Sequence, residues 1–432
     1  MYLRGSKWSM KRRKRRVNPF RVAVLLVLIG AGIYVDRVVV PVMPVPFMAT
    51  PTPTRDPTSY ITEAQTLLAK GKINQAIEAY KQASRSNPNN PSVFIELARL
   101  QIYTRDYANA LQNSETALFL TPNNSMAMAM RGWAQFFNRD YLQAEATLRS
   151  ALELDPNNAL AHAFLAEVIG SQVAGGDARV GGMDEAIQES RLAVELDPNA
   201  METHRARGYV FEWTQNYDEA IAEFEKAIEI NKNIADLHME LGVNYFNKGN
   251  ADQSIELISK ATDEFNKAIP LIPTDPWPKY YLARTYANLG EFAKAWQFAE
   301  KAVQDEPANP VWHGYLGIYY RKDKQFQKAV DELTLALRGG TTEGGVTVTG
   351  LPLSADQQVI TFYWSYGLAL SEIKRCTEVL QVVATLRQAM PENEDNLYNT
   401  QVMLDKCQLN ADGSAAPAPT NTPSPPAQPD SG

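Results

Sequence analysis

The residues best equipped for chemistry in this chain are four histidines, His162, His204, His238 and His313, and two cysteines, Cys376 and Cys407. Grouped histidines would suggest a metal centre or a general base, and a cysteine near a histidine would suggest a nucleophile. Two cysteines exclude a zinc site with three or four thiolate ligands, and they exclude a disulfide-built scaffold. No G-x-x-x-x-G-K-[ST] or G-x-G-x-x-G sequence occurs. Gly175-Gly176 and Gly181-Gly182 lie in a loop with no strand before them, so no phosphate cradle is read there. Carboxylates such as Asp218, Glu219, Glu223 and Glu225 fall with Lys226 on helix positions where i,i+4 charge pairing is the ordinary role. No catalytic residue, cofactor site or metal site is expected, and the chain is read as non-enzymatic.

The elements that position these residues begin with an uneven charge. The 432 residues carry 42 Lys/Arg and 49 Asp/Glu, a net of −7. Nine of the basic residues fall within the first 21, which hold no acid. Without those nine, 33 basic residues face 49 acidic ones, a net of −16 for the rest, which argues against a nucleic-acid partner. Residues 22–40 follow as an apolar run broken only by Asp36 and Arg37. They are expected to form a transmembrane signal-anchor, with a cleaved signal peptide as the rival reading. The positive-inside rule puts the basic segment 1–21 in the cytoplasm and everything after the span outside it. A basic nucleic-acid tail is the bland alternative for that segment, and the span directly after it argues against it. Residues 41–56 are expected to be a Pro-rich extended linker, and residues 410–432 a disordered Pro-rich tail.

Between them lies an internal period. Pro88, Pro122 and Pro156 are 34 apart, as are Pro273 and Pro307. Alanines recur twelve residues before the proline position, from Ala76 and Ala110 to Ala329, and again five before it, from Ala83 to Ala336. Gly132, Gly208, Gly242 and Gly317 sit 24 before it wherever no insertion intervenes. Each unit reads as two amphipathic helices whose small residues permit close approach, with proline ending the unit. One pair cannot bury its apolar face alone, so neighbours must stack.

At Leu241-Gly242-x-x-Tyr245, Leu316-Gly317-x-x-Tyr320 and Ala220-x3-Phe224-x2-Ala227 the sequence resembles the tetratricopeptide repeat (TPR) family. The resemblance covers about residues 57–391. It implies an all-α, right-handed superhelical solenoid of about nine helix pairs over 57–409, closed by a capping helix at 393–407. Three departures stand out. The inner turn of unit four is lengthened around Ser171–Gly182. Unit six holds about seven extra residues, expected to lengthen its second helix by two turns. The Gly/Thr-rich segment 339–352 is expected to be a small hairpin or an ordered loop. All four histidines occupy the fourth position of their units, so they cannot converge on one ion and are read as packing residues.

The resemblance also implies a concave groove lined by fixed positions of each first helix. Those positions supply Ile95, Arg99 and Tyr103, then Met126, Trp133, Phe136 and Phe137. Farther along they supply Arg205, Tyr209, Glu212 and Trp213, then Met239 and Phe246, and finally Tyr280, Arg284 and Arg321. Partner anchoring is expected there, with packing between units as the alternative for the aromatics. The carboxylate clamp of chaperone-binding TPR domains is not matched, because Ile61 and Gln65 stand where Lys and Asn are needed. Cys376 and Cys407 are placed to staple the last unit in an oxidising compartment, the alternative being two unrelated buried thiols. The function implied is a scaffold for a protein or peptide partner at the outer face of a cell membrane. The alternative is an accessory subunit recruiting enzymes of envelope or polysaccharide export. Chemistry in the 339–352 insert is the third reading, and its single carboxylate, Glu343, argues against it.

Overall fold

A computed structural model describes residues 18–39, 56–176, 179–410 and 412–414. The basic segment before Asn18, the Pro-rich linker up to residue 55 and the tail beyond Ser414 lie outside the described residues. The chain divides into two compact units, one ending at Asp56 and the other starting at Pro57.

In the first unit, α1 (Pro19–Tyr34) continues into a π-helical turn, Val35–Val39. Asn18 caps it by accepting from the Phe20 amide at 3.0 Å, with Pro19 at the first helical position. The stretch Pro19–Val38 is 20 residues, about 30 Å of helix, long and apolar enough to cross a membrane.

The second unit is a stack of nine helix pairs. They are α2 (Pro57–Ala69) with α3 (Ile73–Ser86), α4 (Pro91–Tyr103) with α5 (Tyr107–Leu120), and α6 (Ser125–Phe137) with α7 (Tyr141–Leu154). Next come α8 (Ala159–Ala174) with α9 (Gly182–Leu196), α10 (Met201–Trp213) with α11 (Tyr217–Ile230), and α12 (Ala235–Ala251) with α13 (Ile255–Ala268). The series ends with α14 (Pro276–Asn288) and α15 (Phe292–Asp305), α16 (Pro310–Lys322) and α17 (Phe326–Arg338), and α18 (Gln357–Glu372) and α19 (Cys376–Ala389). Helix α20 (Glu394–Cys407) closes the array. The all-α superhelical solenoid expected from the repeat is the observed architecture.

Small residues set the spacing within each pair. A Cβ on Gly132 would lie 2.6 Å from Leu148, and one on Gly317 would lie 2.5 Å from Leu333. The inter-unit turns are capped by their own asparagines. Asn90, Asn124, Asn158 and Asn309 each accept from a first-turn amide at 3.0–3.1 Å. The inner turns place one residue in the left-handed region, glycine at Gly71 and Gly290 but Arg105, Arg139, Gln215, Gln253, Lys324 and Lys374 elsewhere.

Two departures from the period resolve differently from expectation. In unit six the second helix, α13, keeps the ordinary 14 residues. The extra residues instead lengthen α12 to 17 and widen the link before α14, because Ser254 caps α13 four residues later than the regular spacing would start it. In unit four, α8 absorbs part of the insertion by running to Ala174. Segment 339–352 contains a hairpin, with β1 (Gly340–Thr341) antiparallel to β2 (Thr347–Val348). Cys376, opening α19, and Cys407, ending α20, are joined by a disulfide with Cα atoms 5.7 Å apart.

The four histidines do more than pack. In each, Nε2 faces the carbonyl of the preceding inter-unit turn, Pro156, Pro198, Lys232 or Pro307, at 2.9–3.0 Å. Nδ1 faces a glutamate of the unit's second helix, Glu189, Glu223, Glu264 or Glu332. Two acceptors on one ring fit the doubly protonated imidazolium. In unit seven Lys279 holds the same position and donates to the Pro273 carbonyl at 2.5 Å and to Asp305. The hydrogen bond from Glu223 raises the His204 pKa above its ordinary value; at His162 and His313 burial works the other way, and the glutamate and carbonyl outweigh it. Burial pushes the Glu223 and Glu264 carboxyls up, but the histidine and a lysine hold them below the usual range.

A raised histidine pKa contributes stability that is complete below its unfolded value, about 6.5, and is lost as pH rises through the folded value. A lowered glutamate pKa contributes stability that is lost as pH falls through it. Urea midpoints of the array are therefore expected to peak between about pH 5 and 6.5 and to be lower at pH 8. His204→Gln should cost about 1–3 kcal/mol at pH 6 and flatten that difference. A variant with an unchanged pH profile would count against the clamp.

Candidate functional site: the concave face

The concave positions divide into two regions, because the array curls back on itself. Units one and two meet units five to seven through side chains. Tyr103 donates to the Glu202 carboxylate, and Arg99 Nε lies 3.4 Å from Glu202 Oε1. Arg105, in the second inner turn, pairs with Asp275 at 3.1 Å and touches the Met239 sulfur at 3.8 Å. Gly71 abuts Asn233 so closely that a Cβ there would lie 2.4 Å from its Oδ1, while its φ of +72° also favours glycine. Ile73 and Tyr103 pack against the cluster of Met201, Ile234 and Leu237.

Inside this closure the residues expected to line an open groove are covered. Trp133 is 0% exposed, stacks on Phe164 at 4.1 Å and donates from Nε1 to Glu167 at 3.1 Å. Arg205 is 2% exposed and pairs with Glu167 and, at 2.9 Å, with Asp236. Its guanidinium lies 4.7 Å from the Tyr209 ring centre and 5.2 Å from that of Trp133. Burial pushes the Glu167 carboxyl up, against the pull of Arg205. Beside this hub, burial lifts Glu212 to about 7, and burial together with Glu212 lifts Glu240 well above the usual carboxylate range.

Of the expected groove residues, Ile95, Trp133, Arg205, Met239 and Phe246 are buried, which corrects their reading as surface. Met239 meets Arg105 across the closure, Trp133 and Arg205 meet each other across the tight inner turn of the coil, and Ile95 and Phe246 are covered by their own and neighbouring units. Arg99, Tyr103, Met126, Phe136, Phe137, Tyr209, Glu212 and Trp213 are half-buried. Trp213 fills the space left by Gly170, where a Cβ would lie 2.3 Å from its ring. Arg99, Tyr103 and Met126 border a cavity of about 660 Å³ that Asp155, Asp197 and Glu202 also line.

Beyond the closure the same positions stay at the surface. Arg284 is exposed, with its guanidinium 4.9 Å from the Phe246 ring centre. Tyr280 and Arg321 are half-buried, and Trp277 is 40% exposed. Tyr280 and Tyr315 face each other at 4.4 Å between ring centres. Burial lowers the Arg321 pKa, and its Nε has no hydrogen-bond partner.

Sequence reasoning missed Glu167, Glu202, Asp236, Asp275 and Arg105, which close the array and fill its hub. Acids at the second position of units five and six, Glu202 and Asp236, were a usable signal, since that position faces the concave side. The His clamp had one too: in all four units the partner glutamate holds the same place in the second helix.

Family models described as TPR repeat and tetratricopeptide repeat match residues 64–101 with 214–249, and residues 95–159. The matched segments are tetratricopeptide repeats. Cell division cycle protein 27 homolog A of Arabidopsis thaliana is 35% identical over 83 residues, 18% of this chain. The chain covers 12% of that relative's length. Among solved structures, PilW, a type IV pilus biogenesis factor, aligns at 19% identity over 49% of this chain and 90% of its own, with a TM-score of 0.41. A tetratricopeptide repeat protein from Parabacteroides merdae aligns at 16% identity over 61% and 98%, with a TM-score of 0.38. Pseudomonas aeruginosa pilF aligns at 21% identity over 49% and 89%, with a TM-score of 0.39.

Removing Arg205 alone leaves Glu167 buried without its counter-ion. Arg205→Ala is expected to cost about 3–5 kcal/mol in chemical denaturation, and the pair Arg205→Met with Glu167→Leu to recover most of it. Equal losses for the single and double variants would show that the pair does not hold the hub together.

Proposed function

We propose that this tetratricopeptide repeat array is a non-catalytic scaffold that holds a protein or peptide partner on the concave face of its last three units. One contrast carries the reading. On α14 and α16 Arg284 is exposed and Tyr280 and Arg321 are half-buried, whereas the corresponding Trp133, Arg205 and Phe246 are buried within the array. Tyr, Trp and Arg are the side chains that anchor partners at low conformational cost. The groove residues are accordingly Tyr280, Arg284 and Arg321. Arg99, Tyr103, Phe136, Tyr209 and Trp213 border the closure and support it from within.

The scaffold is anchored by α1, with the repeat array on the outer side of the membrane. Two features support this placement: the basic residues before the apolar helix, and the Cys376–Cys407 disulfide, which suits an oxidising compartment.

A photo-cross-linking residue at Tyr280 is expected to trap one defined partner in intact cells. The same group at Phe119, which is 86% exposed on α5, should not. Trapping only from Phe119, or equally from both, would refute the groove. Protease added outside intact spheroplasts should digest the repeat array, and full protection would overturn the outward placement.

A further inference from the structure

We infer that the concave face of α14 and α16 takes an acidic peptide segment bearing aromatic side chains. This deepens the groove reading above and rests on it. The first observation is a local absence of acid. Neither α14 (PWPKYYLARTYAN) nor α16 (PVWHGYLGIYYRK) contains Asp or Glu, although the chain after residue 21 has a net charge of −16 from 33 basic and 49 acidic residues. Of the six earlier first helices only α6 also lacks an acid, while α8, α10 and α12 carry Glu167, Glu202 and Asp236.

The second observation is how the cations are used. Upstream, Arg99, Arg105 and Arg205 are each matched by a carboxylate. On α14 and α16, Lys279 and His313 are engaged in the inter-unit clamps. The other three, Arg284, Arg321 and Lys322, form no ion pair among the described residues. Arg321 is also half-buried, with an Nε that meets no acceptor. The Glu372 carboxylate acts on Arg321 from α18 but is paired with Lys406, and a guest carboxylate would give the partly desolvated guanidinium a direct partner in fork geometry.

The third observation is the aromatic shelf between these charges. Tyr280 and Tyr315 are 4.4 Å apart, and Trp277 is 40% exposed beside them. Ring faces and edges there accept an aromatic guest in offset or edge-on contact. Arg284 and Arg321 sit at the ninth and twelfth positions of successive first helices, α14 and α16. The guest therefore carries acidic and aromatic side chains together. A basic segment is rejected by like charge.

The test uses the full chain in zwitterionic detergent micelles. The probe is a fluorescein-labelled 12-residue peptide of Asp and Glu alternating with Phe and Trp. Its counterpart carries Lys for every acid. By fluorescence anisotropy the acidic peptide should bind at least about tenfold more tightly than the lysine counterpart, and R284Q/R321Q should weaken it by about tenfold or more. Because Arg284 is exposed, R284Q alone leaves the fold intact and should already weaken binding about threefold. Equal affinity for both peptides, undiminished binding by the variants or no saturable binding of the acidic peptide would overturn the proposal. So would displacement of the peptide by anionic lipid vesicles or by self-association of the chain at equal affinity. A partner trapped at Tyr280 through a segment without acidic residues would sink this inference and leave the groove standing, whereas no trapping at Tyr280 would sink the groove itself.

Discussion

The structure depends on how closely the two helices of a unit can approach. Gly132 meets Leu148, Gly208 meets Phe224, Gly242 meets Phe265 and Gly317 meets Leu333, each at a distance that no Cβ could share without displacing its neighbour. Every other dimension follows from that contact. It fixes the angle between the helices of a pair and the shape of the face that pair offers to the next. No unit can bury that face by itself, so stability passes between neighbours. The fourth-position histidines and lysine add a polar register to the apolar one. Each joins the turn behind it to the second helix of its own unit, which fixes where one pair sits on another.

Repetition of one geometry produces curvature, and in this chain the curvature has a meeting point. The first two units arrive against the fifth to seventh, and the contact is mainly polar, with guanidinium and phenol facing carboxylates across it. The aromatic and arginine side chains of the intervening first helices are thereby enclosed. Helix α8 shows the effect most clearly, since Leu160 through Gly170 are buried on every side. Side chains that an open coil would leave on its concave surface have become the array's own centre.

The sequence revealed the period, the phase and the number of pairs, because alanine and glycine at fixed intervals record a local packing rule. It also located the hairpin and the terminal helix, where the period lapses. It placed the added residues of unit six wrongly, since Ser254 decides where α13 starts and a count of residues does not show which side of a cap they fall. Burial of Trp133 and Arg205 was illegible for a different reason. It depends on contacts such as Arg105 with Asp275, between residues 170 positions apart, and on a superhelical pitch that small angles accumulate over several units. Lys279 was overlooked because residue type differs while position is shared, and its acid, Asp305, sits elsewhere in the second helix from the glutamates that serve the histidines.

The closure also gives the array two mechanical characters. An open helical stack behaves as a spring, in which a small load spreads over every joint. Ion pairs that bind units one and two to units five to seven short-circuit that spring. Tension applied at Pro57 is carried directly across the coil, and the first seven units respond as a stiff block. Among the described residues units eight and nine have no such brace and continue as a short arm of plain stacking, with the stapled last unit as its tip. A cross-braced base and a plainly stacked end are thus built from one repeated element.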